Sequence, residues 1–216
     1  MLASEAQNSA LVDLFRREGN KLTYKKGEFV IRPGQAPTGV FYISSGIVKA
    51  FDITKYGEDN MLIIRKEKEI FPLIWAVTGE ERHIIYETLS DTILYQISRD
   101  KFVKHMRNNP EILTPLLDMV TEMYRIHSER ILNLEYRSVR ERVISFLIAM
   151  SNRFSRPAAK GVTIDVPLRR QDIASSINAT RETTSREMVY LEKHGLVSNK
   201  NTYITLIDID KLQSFL

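Results

Sequence analysis

Up to about residue 100 the apolar positions come in short runs broken by turn residues, and from Pro110 onward they recur at a helical period. The runs at 29–31, 40–44, 47–53, 61–64, 84–88 and 92–97 are rich in Phe, Val, Ile, Tyr and Thr, with Pro33-Gly34, Ser45-Gly46 and Tyr56-Gly57 between them. β-Branched and aromatic side chains suit a pleated surface, and glycine suits the turns. The pattern predicts a small antiparallel barrel or jelly roll, entered from a helix over 11–17.

Beyond Pro110, Leu113, Leu116, Leu117, Val120, Met123, Tyr124, His127, Ile131 and Leu134 form one apolar stripe, about six helical turns long. These residues fall on positions a, d and e of a heptad, so the stripe predicts parallel pairing with a second copy of the chain, against the alternative of packing within it. The stripe breaks at Glu135, and Ser138 with Glu141 spells a capping box that opens a new helix through Phe154. A hinge at this restart and a static kink are both compatible with the residues.

The segment RRQDIASSINATRETTSREMVYLEKHGLV, from Arg169 to Val197, reads as helix, turn and helix. Ile173 and Ile177 lie one turn apart, and Ala174 leaves room for a crossing helix. Asn178 tolerates the left-handed backbone of a tight turn. Thr180 is placed as N-cap of the second helix, with Glu182 at the positive end of its dipole. On that helix Thr184, Met188 and Leu191 form the inward stripe. Arg181, Glu182 and Arg186 project the other way, where arginine can grip guanine and a carboxylate can accept from cytosine. Thr183 and Ser185 are candidates for phosphate contacts. The alternative is the solvated face of an ordinary helix, against which the capped two-helix setting weighs. Gly195 stops the helix, and the residues to Ile207 read as a hairpin that either carries Lys200 to the DNA backbone or only covers the core.

Of the 216 residues, 43% are hydrophobic, enough for two modest cores. The net charge is +4, and residues 137–216 hold 13 Lys and Arg against 8 Asp and Glu, so the excess lies with the helical pair. The absence of cysteine excludes disulfides, thiol chemistry and Cys-ligated iron–sulfur clusters. His83, His105, His127 and His194 have no metal-ligand spacing, so neither a metal nor another cofactor is expected. His127 in the stripe is either a pH-sensitive element or a neutral packed histidine. No apolar run approaches a membrane span, the longest being VISFLIAM, and the first residues lack a secretory core. A cytoplasmic location without a membrane partner is expected. Nucleophile elbow, glycine-rich phosphate loop and HExxH are all absent, so the chain is not expected to be an enzyme.

A β-roll, long dimer helix and winged helix-turn-helix, in that order, resemble the Crp/Fnr family of bacterial transcription regulators. The likeness rests on KKGEFVIRPGQAPTGVFYISSGIVKAF, with Gly27, Gly34 and Gly46 at the family's turns, and on RQDIASSINATRETTSR. It implies an α+β chain with a cyclic-nucleotide-binding-like β-roll over 1–108, a dimerisation helix and hinge over 109–137, and a winged helix-turn-helix over 138–216. It further implies a homodimer on double-stranded DNA, with Arg181, Glu182 and Arg186 reading a TGTGA-like half-site and Thr180, Thr183, Ser185 and Lys200 beside them. RNA polymerase is the implied further partner in activation, through a loop at 155–161. The effector pocket departs from the pattern. Arg82 matches the phosphate arginine, but Phe71 and Pro72 stand where Gly-Glu would hold a ribose, and His83 replaces a small residue. The implication is a regulator not controlled by cyclic AMP, in which Pro72, Trp75, Arg82, His83 and Tyr86 either line a site for an unknown small molecule or fill it. The rival reading is a small-molecule-binding module that acts through protein contacts.

Overall fold

The computed structural model describes residues 5–216, with side chains from Ala10 onward. Two compact units emerge: residues up to Asp52 with Leu62–Arg125, and Ile53–Met61 with Ile126–Leu216.

The first unit opens with α1 (Glu5–Glu18), followed by β1 (Asn20–Tyr24), β2 (Phe29–Ile31), β3 (Val40–Ser45), β4 (Val48–Ile53), β5 (Asp59–Arg65) and β6 (Ile70–Phe71). Helix α2 (Leu73–Thr78), β7 (Ile85–Thr88), β8 (Thr92–Ile97) and α3 (Arg99–Asn108) complete the roll, and α4 (Pro110–Tyr136) leaves it. The strands form two sheets, ordered β1-β8-β3-β6 and β2-β7-β4-β5. The expected runs all appear as strands. Strands β1 and β6 and helices α2 and α3 were not read from the pattern. In β1 the sequence NKLTY offers only Leu22 and Tyr24 as alternating apolar positions, too short a pattern to stand out, and it lies at a sheet edge with most of its side chains in solvent.

One core joins the helices to the first sheet. Phe15 of α1 stacks on Tyr42 of β3 at 5.5 Å between ring centres, and Phe102 of α3, Leu73 of α2 and Ile112 and Leu116 of α4 are buried against the same layer. Leu116 therefore points into its own unit rather than joining the outward stripe.

In the second unit α5 (Val139–Phe154) leads through β9 (Ser155–Pro157) and β10 (Val162–Ile164) to α6 (Arg170–Ile177) and α7 (Arg181–Lys193). Strands β11 (Val197–Lys200) and β12 (Tyr203–Leu206) and helix α8 (Ile209–Gln213) follow. The capping box is present: Ser138 Oγ accepts from the Glu141 amide, and Glu141 accepts from the Ser138 amide at 2.7 Å. Val143, Ile144, Leu147, Ile173, Ala174, Met188 and Leu191 pack the three helices together, all fully or almost fully buried. A sheet ordered β11-β12-β10-β9 closes the unit. The segment 155–161, expected as a loop, begins as strand β9 paired to β10. Gly161 turns that hairpin at φ +78, where a Cβ would meet the Leu206 carbonyl oxygen at 1.9 Å.

Candidate nucleic-acid interface

The angle between α6 and α7 is set at Asn178, whose φ of 51 and ψ of 59 place it in the left-handed region. The start of α6 lacks a hydroxyl cap; instead the buried Asp172 carboxylate accepts from the Arg169 amide at 2.8 Å and pairs with its guanidinium at 3.0 Å. At the start of α7, Thr180 Oγ1 accepts from the Thr183 amide at 3.1 Å, as a Ser or Thr cap does. Thr184, Met188 and Leu191 are completely buried, which turns the opposite face of α7 outward.

On that face Arg181, Glu182 and Arg186 are exposed, and Thr183 and Ser185 half-buried. Arg186 Nη2 donates to Thr183 Oγ1 at 3.2 Å, and Thr180 Oγ1 donates to the same oxygen at 2.9 Å. The arginine is thus tied back to its own helix at one nitrogen. Lys200 is exposed at the end of β11, beside a tight turn in which Asn201 and Thr202 have φ of 52 and 71. The seven DNA-binding candidates all lie in the helix pair and its wing.

Sequence reasoning missed the groups that brace this face. Arg140 of α5 pairs with Glu187 of α7 at 2.7 Å and lies 3.6 Å over the Tyr190 ring, and the Glu187 carboxylate raises the arginine's pKa. Arg170 pairs with Glu192 at 2.7 Å. Each contact joins residues far apart in the chain, for which no local spacing gives a signal.

Residues 141–215 match the Crp-like helix-turn-helix domain, and residues 21–109 match the cyclic nucleotide-binding domain. The chain belongs to the Crp/Fnr family of transcription regulators. This is a family of DNA-binding regulators and not of enzymes. The global nitrogen regulator of Nostoc sp. is 25% identical over 208 residues, covering 93% of each chain. The anaerobic regulatory protein of Bacillus subtilis is 24% identical over 196 residues, covering 90% of this chain and 82% of its own. The structure of FixK2 from Bradyrhizobium japonicum superposes with a TM-score of 0.77 at 21% identity, over 91% of this chain and 96% of that one, a likeness of fold.

In this Crp/Fnr chain the expected effector residues divide between buried and exposed positions of the β-roll. Tyr86 is buried and stacks on Phe71 at 4.6 Å, and Phe71 stacks on Phe41 at 5.3 Å. Burial pushes the Tyr86 phenol's pKa up, opposed by the charges of Arg65 and Arg82. Pro72 is buried at the start of α2, and Trp75 is half-buried one turn on, its carbonyl accepting from Arg99 Nε at 3.0 Å. Arg82 and His83 are exposed on the segment before β7. Two ion pairs went unforeseen: Lys49 with Glu87 at 2.9 Å, across the β4–β7 ladder, and Arg65 with Glu69 at 3.3 Å, with both cations almost fully buried. Among the described residues no His, Asp and Glu cluster could hold a metal ion, and no helix is long and apolar enough to cross a membrane.

Proposed function

We propose that this regulator works in the cytoplasm as a homodimer that reads a palindrome of TGTGA-like half-sites without control by cyclic AMP. The observation that carries the reading is the outward face of α7, where Arg181, Glu182 and Arg186 stand exposed on a helix fixed by Thr180 and by its buried stripe. Spaced over an Arg-Glu-x-x-x-Arg pattern, two guanidiniums and a carboxylate suit two G·C pairs.

Dimerisation is supported by α4. Leu113, Leu117, Val120, Tyr124, Ile131 and Leu134 are between 36% and 75% exposed, and an apolar line of this length is what a second helix covers in a parallel coiled coil. A twofold dimer then presents two α7 helices to half-sites about one helical turn apart. Independence from cyclic AMP is supported by the stacked Phe41, Phe71 and Tyr86, which take up interior space, and by the lack of a carboxylate at Phe71 and Pro72 to accept from ribose hydroxyls. For activation, the exposed turn of the β9–β10 hairpin is the surface offered to RNA polymerase.

Selection of bound duplexes from random DNA tests the reading: enrichment of a palindrome with TGTGA-like halves is expected, and an unrelated motif overturns it. Cyclic AMP at micromolar concentration is expected to leave the thermal midpoint in place; a rise of several degrees would show that the roll binds it.

A further inference from the structure

The last carbonyls of an α-helix have no partner within the helix, and they carry the negative end of its dipole. At the end of α6 two arginines from other helices meet them. Arg142 Nη1 of α5 donates to the Ile177 carbonyl at 2.9 Å and reaches that of Asn178 at 3.4 Å. Arg130 Nη2 of α4 reaches the Ser175 carbonyl at 3.4 Å.

Arg130 does more than close a helix end. Its Nη1 donates to the Met61 carbonyl and its Nη2 to Asn60 Oδ1, both at 2.8 Å. Asn60 and Met61 begin the returning strand of the β4–β5 hairpin, the part of the β-roll sequence that falls in the second compact unit. One planar guanidinium therefore holds the hairpin with two short bonds and α6 with a longer third. Only arginine presents enough donors in a rigid fork for this; a lysine ammonium is a single point with a flexible stem. The buried Nε has no hydrogen-bond partner among the described residues, so the group is held by its terminal nitrogens alone.

We infer that Arg130 is a positioning residue for DNA binding, tying the C-terminal end of α6 to the turn end of the β4–β5 hairpin so that the presentation of α7 depends on where that end of the hairpin lies. Arg130 need not touch DNA to act. Because α6 ends at Asn178, whose left-handed turn sets the direction of α7, a shift at the Ser175 end of α6 is carried to the recognition face. The inference needs only that the chain binds DNA, and it holds whichever half-site is read.

The test uses the full chain and the duplex it selects from random sequence. Affinity is measured over a salt series, well below the melting temperature of every variant. Arg130→Met is expected to weaken binding about 3- to 30-fold, the range by which residues remote from a ligand alter coupling. The selected motif and the slope of affinity with salt stay unchanged, because no phosphate contact is lost. Asn60→Ala, a milder change on the hairpin, weakens binding in the same sense. The double variant is no worse than Arg130→Met alone, since both act through one fork. Arg130→Lys keeps the charge but does not restore affinity. Unchanged affinity in Arg130→Met with a lowered melting temperature overturns the inference in favour of a purely structural role. Full rescue by lysine, additive losses in the double variant, or a reduced salt slope overturns it as well.

Discussion

On α7 the chemistry-bearing side chains stand in solvent with most of their donors and acceptors unused, whereas inside the β-roll the corresponding side chains are one another's partners. Arg181 and Glu182 are exposed; Phe41, Phe71 and Tyr86 are stacked ring on ring, and Lys49 is closed against Glu87. The difference follows from burial. An exposed face keeps unpaired polar groups cheaply because water satisfies them. An interior has no such recourse: unpaired charge and empty volume both cost free energy, so its side chains are packed and paired with one another. The same logic separates the two ends of α4. Ile112 and Leu116 are buried in the first unit, while Tyr124 and Ile131 are 75% and 62% exposed.

The contrast is sharpened most strongly by Phe71→Ala. If the stack is a packed core, truncation costs about 3 to 5 kcal/mol of stability in urea unfolding, through lost burial and a residual cavity. A loss under about 1 kcal/mol would mean that the interior is loose, and the opposition between the two regions would fail. Arg181→Ala probes the other side. DNA affinity should fall by about 1 to 3 kcal/mol, while the urea midpoint stays where it was because the side chain is exposed. A lowered midpoint would show that the α7 face is structural.

Thr180→Ala tests the fixing of that face. Loss of the cap to the Thr183 amide is expected to cost about 0.5 to 2 kcal/mol of stability, with weaker DNA binding. The smallest effect is one of pH. The hydroxyl and amide of Ser138, both donating to Glu141, hold its carboxyl below the ordinary value of 4.5. The unfolded carboxylate takes up its proton first as pH falls, so this contribution is complete above the ordinary value and is lost as pH drops through the lowered one. Acid unfolding of Ser138→Ala should be less steep than that of the parent chain; an identical profile would remove the capping box from the account.

Much of the DNA-reading unit was legible because its signals are local. Thr180 caps a helix three residues away, Asn178 sits in the turn that needs it, and Thr184, Met188 and Leu191 share a face by helical period alone. The β-roll was legible as alternating runs and glycine turns, except where the pattern is weak. β1 is a mostly exposed edge strand, β6 is two residues long, and α2 hides within the apolar run around Phe71 and Trp75. Strand β9 was read as a loop because SRP lacks every strand signal and is held by its pairing with β10.

By itself the sequence determined the family, the succession of β-roll, long helix and helix-turn-helix, and the residues facing outward on α7, since these depend on motifs and spacings local in the chain. Only the tertiary structure decided what those residues lean on: Arg140 against Glu187 and Tyr190, Arg142 and Arg130 at the end of α6, Tyr86 on Phe71. Hydrogen bonds and ring contacts are made between neighbours in space. Arg130 and Asn60 lie 70 positions apart along the chain, so nothing in the spacing of one announces the other, and their contact exists only once the hairpin and the helices have folded beside each other.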